Sequence, residues 1–111
     1  MFGRKKNDRP PKDTTSVEFK RWMAAKLNGR GVRYTLERAD GGDRIVGKDG
    51  FISVNNGILS IISGENTLFT AAVDALDAWE FMSLDGATLT GYDLSVNRER
   101  KILAYYKYYR K

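Results

Sequence analysis

The chain contains no cysteine and no histidine. Without cysteine it forms no disulfide, no thiolate zinc site and no cysteine nucleophile. Without histidine it holds no Ser-His-Asp triad and no imidazole that serves as a general base near neutral pH. Catalysis would have to rest on carboxylate, lysine or tyrosine side chains. We therefore expect a protein that is not an enzyme and that carries no cofactor or metal ion.

Long apolar stretches are also missing. The longest one, residues 58–62, has five residues and includes a serine, whereas a helix that crosses a bilayer needs about 20. The basic N-terminal sequence is not followed by the apolar segment of a secretory signal. A chain of 111 residues encloses one modest core. The sequence thus predicts one domain, located in the cytoplasm.

Charge is unevenly distributed along the chain. The net charge of +5 combines +4 in residues 1–12, −4 in residues 13–97 and +5 in residues 98–111. The first 14 residues are polar, and Pro10-Pro11 opposes helix formation there. We interpret residues 1–14 as a disordered basic arm and residues 15–111 as a single globular domain.

One amphipathic helix is predicted at about residues 16–28. Thr15 and Glu18 have the spacing of a capping box at its start, and Asn28-Gly29 provides a left-handed stop. Its apolar side chains recur every three or four residues: Phe19, Trp22, Met23 and Leu27. We expect this face to pack on the rest of the domain.

From residue 31 onward the pattern is typical of strands. In "VRYTLERA" the alternation predicts two faces, with Val32, Tyr34 and Leu36 on one and Arg33, Thr35 and Glu37 on the other. Residues 40–43 predict a turn, and the glycines at 47–50 predict a bulge or a second turn in the next strand. Asn56-Gly57 predicts a type I′ hairpin, because both residues tolerate a positive φ.

The second half of the chain continues with short strands. Residues 71–79 are compatible with either a helical turn or the start of a strand. Asp85-Gly86 predicts a second hairpin, which joins "WEFMSL" to "ATLTGYDL". The polar segment "SVNRER" then leads to the last strand. The predicted fold class is mainly β (α+β): a small antiparallel barrel or bent sheet of about seven strands, spanning residues 31–110, with one N-terminal helix.

The hairpin series of residues 51–68 and the segment "WEFMSLDGATLTGYD" running into "KILAYYKYY" resemble the pleckstrin-homology-like (PH-like) barrels of uncharacterised bacterial proteins. The resemblance implies a small PH-like barrel. The chain departs from the family in two respects. Such a domain normally ends in a helix that plugs the barrel, whereas the helix here is N-terminal. Arg33 and Arg44, which would stand for the basic pair of lipid-binding members, are separated by Asp40 and Asp43, so the resemblance does not extend to phosphoinositide binding.

Two acidic series are candidate metal sites: Asp74, Asp77 and Glu80, and Asp40, Asp43 and Asp49. The first would nearly align on a helix and could hold a hard cation, but we interpret it as a solvated face or a helix start. The second lacks the register of a calcium loop, and we interpret it as two turns. The glycines match no phosphate-binding loop.

The last strand carries aromatic residues on both faces. Ile102, Ala104, Tyr106 and Tyr108 are predicted on one face, and Leu103, Tyr105, Lys107 and Tyr109 on the other. Tyrosines with interleaved basic residues can stack on the bases of single-stranded nucleic acid. Tyrosine is also a common strand residue. We interpret this segment as mainly structural, with one surface open to binding.

These observations favour a small, non-enzymatic cytoplasmic interaction or adaptor domain with an unidentified protein partner. The aromatic last strand is also compatible with a homodimer. Two alternatives remain: nucleic-acid binding through the basic ends and the tyrosines, and peripheral membrane tethering through the basic arm. The candidate binding surface comprises Arg4, Lys5, Lys6, Arg9, Tyr105, Lys107, Tyr109 and Arg110.

Overall fold

The computed structural model describes residues 10–107. Within this range the chain forms one helix and seven strands: α1 (Val17–Leu27), β1 (Gly31–Ala39), β2 (Gly42–Asn55), β3 (Ile58–Ser63), β4 (Asn66–Ala72), β5 (Asp77–Glu80), β6 (Gly86–Asp93) and β7 (Arg98–Tyr106). The prediction of a disordered arm falls mostly on residues 1–9, outside the described range.

All seven strands belong to one antiparallel sheet, in the order β4-β3-β2-β1-β7-β6-β5. The sheet curls into a half-barrel, and α1 lies against its open side. The predicted fold class is therefore confirmed: a mainly β, PH-like half-barrel of seven strands with one N-terminal helix. The resemblance to the PH-like family remains a prediction.

The start of α1 differs from the predicted capping box. Ser16 is the N-cap residue, and its hydroxyl accepts a 3.1 Å hydrogen bond from the Phe19 amide. Thr15 instead donates its amide and its hydroxyl to the Asp13 carboxylate. The helix thus begins one residue later than a Thr15 cap requires, and Glu18 occupies its second position. The capping-box prediction is wrong because Asp13 competes for the Thr15 side chain.

The apolar face of α1 is confirmed. Phe19, Met23 and Leu27 are buried in the core, and Trp22 packs beside them. The helix ends at Leu27 with Asn28 as its C-cap residue, and Gly29 has a φ of +87°, as the predicted stop requires.

Three ion pairs fasten the polar flank of α1 to the segment that follows β4: Lys20–Asp77 at 2.7 Å, Arg21–Asp74 at 2.8 Å and Lys26–Glu80 at 2.9 Å. The interpretation of these acids as a solvated face or a helix start holds for Asp74, in the first turn of a short 3-10 helix, and for the exposed Asp77, whereas the Glu80 side chain is largely buried. They lie on a 3-10 turn (Val73–Ala75) and on β5, and each receives a cation from α1.

The clean alternation predicted for β1 is also wrong. Thr35 and Glu37, expected on the face opposite Val32, are buried. In its register with β7, β1 contains one extra residue, Arg33, between Val32 and Tyr34. Such a bulge shifts every later side chain to the other face of the sheet. The bulge therefore turns Glu37 into the interior.

Most of the predicted turns are present. The 40–43 turn joins β1 to β2, and the interruption expected at 47–50 is a bulge at Val46, one residue earlier, within one continuous strand of 14 residues. The second turn considered there is absent from β2. Asn56 and Gly57 have φ values of 53° and 77°, which confirms the predicted hairpin.

Two segments in the second half of the chain differ from, or add to, what the sequence predicts. Residues 71–79 form the end of β4, the 3-10 turn and the start of β5. The Asp85-Gly86 hairpin is longer than predicted, because β5 ends at Glu80 and leaves a loop at residues 81–85. The left-handed residue of this loop is Leu84, with a φ of 65°.

The outer edge of β4 has no neighbouring strand in the sheet. Its backbone groups are nevertheless hydrogen-bonded. The Leu94 amide donates to the Thr70 carbonyl at 2.8 Å, and the Thr70 amide donates to Asp93 Oδ1 at 3.3 Å. Two residues earlier on β4, the Leu68 carbonyl accepts a hydrogen bond from Arg100 Nη1 at 2.8 Å. Groups from the β6–β7 hairpin therefore occupy the positions of a neighbouring strand.

Arg100 is the centre of this closure. Its side chain is 8% exposed and lies between two carboxylates, Glu37 at 2.8 Å and Asp93 at 2.6 Å. The hydrogen bond from Arg100 holds the pKa of Glu37 down to about 2. Burial raises the pKa of Asp93, but hydrogen bonds from Ser95 and Arg100 outweigh it and leave that pKa below its ordinary value. We call Glu37, Asp93 and Arg100 the ion latch.

We expect Arg100→Met to lower the free energy of unfolding by about 3–5 kcal/mol, because it removes the cation paired with the buried Asp93 and leaves the buried Glu37 with exposed arginines alone. Arg98→Met is the matched control. Arg98 contacts the same Glu37 at 3.1 Å, but its side chain is 54% exposed, so its loss should cost less than about 1 kcal/mol. Urea unfolding of both variants measures the difference. Equal losses would contradict a latch centred on Arg100.

Acid should weaken the latch. The folded-state pKa of Glu37 lies below its ordinary value of 4.5, at about 2, so its contribution is complete above pH 4.5 and is lost as the pH falls towards 2. The free energy of unfolding should fall by about 3 kcal/mol from this group over that window. Glu37→Gln should remove this part of the pH dependence, whereas Glu65→Gln, at an exposed turn, should keep it. Identical pH profiles in both variants would contradict the assignment.

Candidate docking surface

The predicted tyrosine face of β7 lies on the outside of the half-barrel. Tyr106 is fully buried on the inner face, as are Ile102 and Ala104. Tyr105 is half-buried on the outer face, and Lys107 is exposed beside it. The predicted division of this strand into two faces is therefore confirmed for residues 102–107.

Tyr105 is held by aromatic neighbours on two sides. Its ring centroid lies 5.1 Å from that of Tyr34 and 5.1 Å from that of Phe81, the latter in an edge-on arrangement. Gly86 allows this approach, because a Cβ atom there would lie 2.8 Å from Phe81 Cε2. Lys107 forms an ion pair with Asp49. These contacts engage both residues within the domain.

Of the candidate surface, the structure brings together Tyr105 and Lys107. The other residues lie outside the described part of the chain: Arg4, Lys5, Lys6, Arg9, Tyr109 and Arg110. Their grouping into one surface remains a prediction.

The loop at residues 81–85 was not predicted from the sequence. Met82 is fully exposed and Leu84 is 58% exposed, although both are large apolar residues. We call residues 81–85 the apolar loop. The sequence contains one indication of this loop, because the apolar–polar alternation typical of a strand breaks here. Three apolar residues, Phe81, Met82 and Leu84, precede Asp85-Gly86 with only one serine among them. The prediction of a strand through "WEFMSL" is wrong for this stretch, because β5 ends at Glu80.

The apolar loop is rigidly attached to the sheet. Its internal turn is closed by the Leu84 amide, which donates to the Phe81 carbonyl at 2.9 Å. At its ends, the Phe81 amide donates to the Gly86 carbonyl and the Tyr106 amide donates to the Asp85 carbonyl, both at 2.8 Å. With the Phe81 ring packed on the outer face, these bonds hold the backbone of the loop, from which the side chains of Met82 and Leu84 extend into solvent.

Leu84 adopts a strained conformation. Its φ of 65° lies in the left-handed region, where a Cβ atom crowds the backbone at a cost of roughly 1–2 kcal/mol. Strain of this kind persists where the surrounding structure imposes it, and it concentrates at binding and switch sites. A bulky apolar side chain that is both strained and exposed contributes little to the stability of this chain by itself.

Charged residues flank the apolar loop. Leu84 lines a pocket of about 190 Å³ together with Lys26, Arg30 and Glu80. Lys26 and Arg30 lie 2.9 and 3.9 Å from the Glu80 carboxylate. Burial raises the pKa of Glu80, but hydrogen bonds from Lys26 and Tyr106 outweigh it, so the carboxylate stays ionised. Lys26 and Arg30 thus share the single carboxylate of Glu80, and the rim of the pocket formed by these three residues has a net charge of +1.

A larger groove lies on another side of α1, against the β2–β3 hairpin. Its volume is about 440 Å³, and its lining residues are Arg21, Ala24, Ala25, Asn28, Val54, Gly57, Val73 and Asp74. We call it the helix groove. Ala24 and Val73, both buried, are among its apolar lining residues. The Asn28 side chain accepts a 2.8 Å hydrogen bond from the Val54 amide, which joins the helix to the hairpin.

The charged residues that line the helix groove form an ion pair with each other. Asp74 accepts two hydrogen bonds from Arg21, at 3.0 and 2.8 Å. These bonds, with a smaller contribution from the Glu18 charge, raise the pKa of Arg21. The two charged residues that line the groove, Arg21 and Asp74, therefore neutralise each other.

Comparisons with known proteins identify no relative. No protein-family model matches the chain, and neither the curated proteins nor the solved structures contain a match. Among residues 10–107, no group of three acidic side chains is placed to hold a metal ion. No helix in that same range is long and apolar enough to cross a membrane. The function is therefore argued from the surface of the domain.

We expect Leu84→Asn to raise the free energy of unfolding by about 0.5–1 kcal/mol, because asparagine tolerates the left-handed region better than leucine. Urea unfolding measures the change. Ile45→Asn is the control: Ile45 is similarly exposed, at 54%, but lies in extended β2, where asparagine is unfavourable. A Leu84→Asn variant less stable than the parent would contradict the strain at this position.

Proposed function

We propose that this protein is a small, non-enzymatic interaction domain that docks a protein partner through the apolar loop. The observation that carries the proposal is the outward display of Met82 and Leu84 from a hydrogen-bonded loop backbone, with exposures of 101% and 58%. A partner that covers these side chains gains roughly 25 cal/mol for each Å² of apolar surface removed from water. A cytoplasmic location is part of the proposal.

Three properties of the loop support a protein partner. Methionine and aromatic residues are enriched at the centres of protein interfaces, and Trp79, on the strand that enters the loop, is 51% exposed. The hydrogen bonds at both ends of the loop reduce the entropy lost on binding. The rim of Lys26, Arg30 and Glu80 supplies charges that orient an approaching surface.

The two alternatives from the sequence receive less support. Base stacking needs open aromatic faces, whereas the Tyr105 ring already contacts Tyr34 and Phe81. Lys107 is paired with Asp49. Nucleic-acid binding and membrane tethering through the basic arm remain predictions that rest on residues outside the described range.

Site-specific photo-crosslinking in the native cell tests the proposal. A benzophenone amino acid at position 82 should capture one discrete protein, because that side chain lies at the centre of the contact. The same group at position 45 is the matched control, since Ile45 is exposed to a similar extent as Leu84. Adding Leu84→Asn to the position-82 variant should abolish the product while the fold is kept.

Three results would contradict the proposal: equal products from positions 82 and 45, no product from either, or a product that survives Leu84→Asn. Capture of lipid or nucleic acid at position 82 would replace the protein partner by one of the two alternatives.

A further inference from the structure

Arg30 is held in place at the edge of the apolar loop. The central carbon of its guanidinium lies 3.7 Å from the centroid of the Tyr106 ring, and that ring is fully buried. The backbone of Arg30 is fixed as well, because its amide donates to the Leu27 carbonyl at 3.1 Å and its carbonyl accepts from the Ile52 amide at 2.9 Å. The guanidinium is therefore oriented before any partner binds.

The N–H groups of Arg30 are available to a ligand. The nearest anion, Glu80, pairs through Oε1 with Lys26 at 2.9 Å and accepts at Oε2 from the Tyr106 hydroxyl at 2.7 Å. Arg30 Nη1 lies 3.9 Å from that Oε2, which is beyond hydrogen-bond distance. Within residues 10–107 the Arg30 side chain donates no hydrogen bond, and it is 30% exposed. Stacking on a ring occupies the face of a guanidinium and leaves the donors at its edge accessible.

The pocket beside Arg30 suits one carboxylate next to an apolar group. Lys26, Arg30, Glu80 and Leu84 line it, and its volume is about 190 Å³. This is smaller than the roughly 300–1,000 Å³ of small-molecule sites, so it holds one side chain. A guanidinium binds a carboxylate through two parallel charge-assisted hydrogen bonds. A single negative charge balances the net charge of +1, whereas a phosphate, with a charge of about −1.5 to −2, would place excess negative charge beside Glu80.

We propose that this pocket binds an aspartate or glutamate side chain of the protein partner, with Arg30 as the residue that recognises it. The inference rests on the proposed function, because it names the chemistry of the partner surface: apolar groups that cover Met82 and Leu84, and one acidic side chain against Arg30. Arginine is one of the residues that contribute most to binding at protein interfaces. Because Arg30 is oriented in advance, the pair forms with a smaller loss of side-chain entropy.

Nuclear magnetic resonance of the full chain with three probes tests the proposal. The probes are the capped peptide acetyl-Leu-Glu-Leu-amide, its neutral counterpart acetyl-Leu-Gln-Leu-amide, and inorganic phosphate. The glutamate peptide should shift the Nε–Hε resonance of Arg30 and the methyl resonances of Leu84 as its concentration rises. The glutamine peptide should bind at least about tenfold more weakly, because it forms no charge-assisted pair. Phosphate should also bind more weakly than the glutamate peptide.

Three variants assign the binding to Arg30. Arg30→Gln should abolish the shift of the Leu84 methyls by the glutamate peptide. Arg30→Lys should weaken binding about tenfold, because lysine keeps the charge but lacks the paired donors. Arg33→Gln is the matched control and should bind normally. It removes the same charge from an exposed arginine that also lies near a tyrosine, 5.6 Å from the Tyr34 ring centroid. Thermal unfolding verifies that each variant is folded.

Several results would overturn the proposal: equal binding of the glutamate and glutamine peptides, equal binding by Arg30→Gln and Arg33→Gln, or tighter binding of phosphate than of the glutamate peptide. Full binding by Arg30→Lys would also overturn it, since a general positive charge would then suffice.

The failure of this inference is distinguishable from the failure of the proposed function. If the glutamate peptide leaves Arg30 unshifted while position 82 still captures a protein, the acidic contact is wrong and the interaction domain stands. If the peptide binds at Arg30 while position 82 captures nothing, the carboxylate site stands and docking through the loop is wrong. Adding Arg30→Gln to the position-82 variant should lower the yield of the cross-linked product at least about tenfold, and an unchanged yield would overturn the acidic contact.

Discussion

The architecture depends on one buried guanidinium. Arg100 lies between Glu37 and Asp93 and also donates to the β4 backbone at Leu68. Without these contacts the outer edge of β4 would present unpaired amides and carbonyls, which is a template for pairing with other chains. The latch joins β1, β4, β6 and β7 in one place. A buried ion pair is not itself a strong source of stability, but here its geometry fixes how far the sheet curls.

The curvature set at the latch determines what the remaining surfaces can do. It leaves one side of the half-barrel open, and α1 covers that side with Phe19, Met23 and Leu27 while its cations pair with Asp74, Asp77 and Glu80. Where the small residues of α1 face the β2–β3 hairpin, the cover is incomplete and the helix groove results. On the other flank, the β5–β6 hairpin carries the apolar loop on an aromatic base. The helix groove and the apolar loop are thus two separate surfaces of the same half-barrel.

The sequence was informative where local chemistry decides the structure. Asn56-Gly57 identified its hairpin, Asn28-Gly29 ended the helix, and the spacing of Phe19, Met23 and Leu27 identified the packed face. Sequence patterns failed where contacts with residues far along the chain determine the local structure. The bulge at Arg33 reverses the faces of β1, and Glu37 is buried because Arg100, 63 positions away, neutralises it. The apolar loop was missed for a similar reason: the left-handed Leu84 is imposed by contacts of Phe81 and Asp85 with the rest of the sheet, which no local pattern reveals.

Native-state hydrogen exchange at the Leu94 amide tests the closure of the half-barrel most directly. This amide donates to the Thr70 carbonyl at 2.8 Å and lies next to Asp93 of the ion latch. The account predicts that it exchanges as slowly as the amides of the central β1–β7 ladder, because releasing it requires the latch to open with the whole sheet. An exchange rate close to that of an unprotected loop amide would show that β4 separates from the hairpin freely, and would contradict the account.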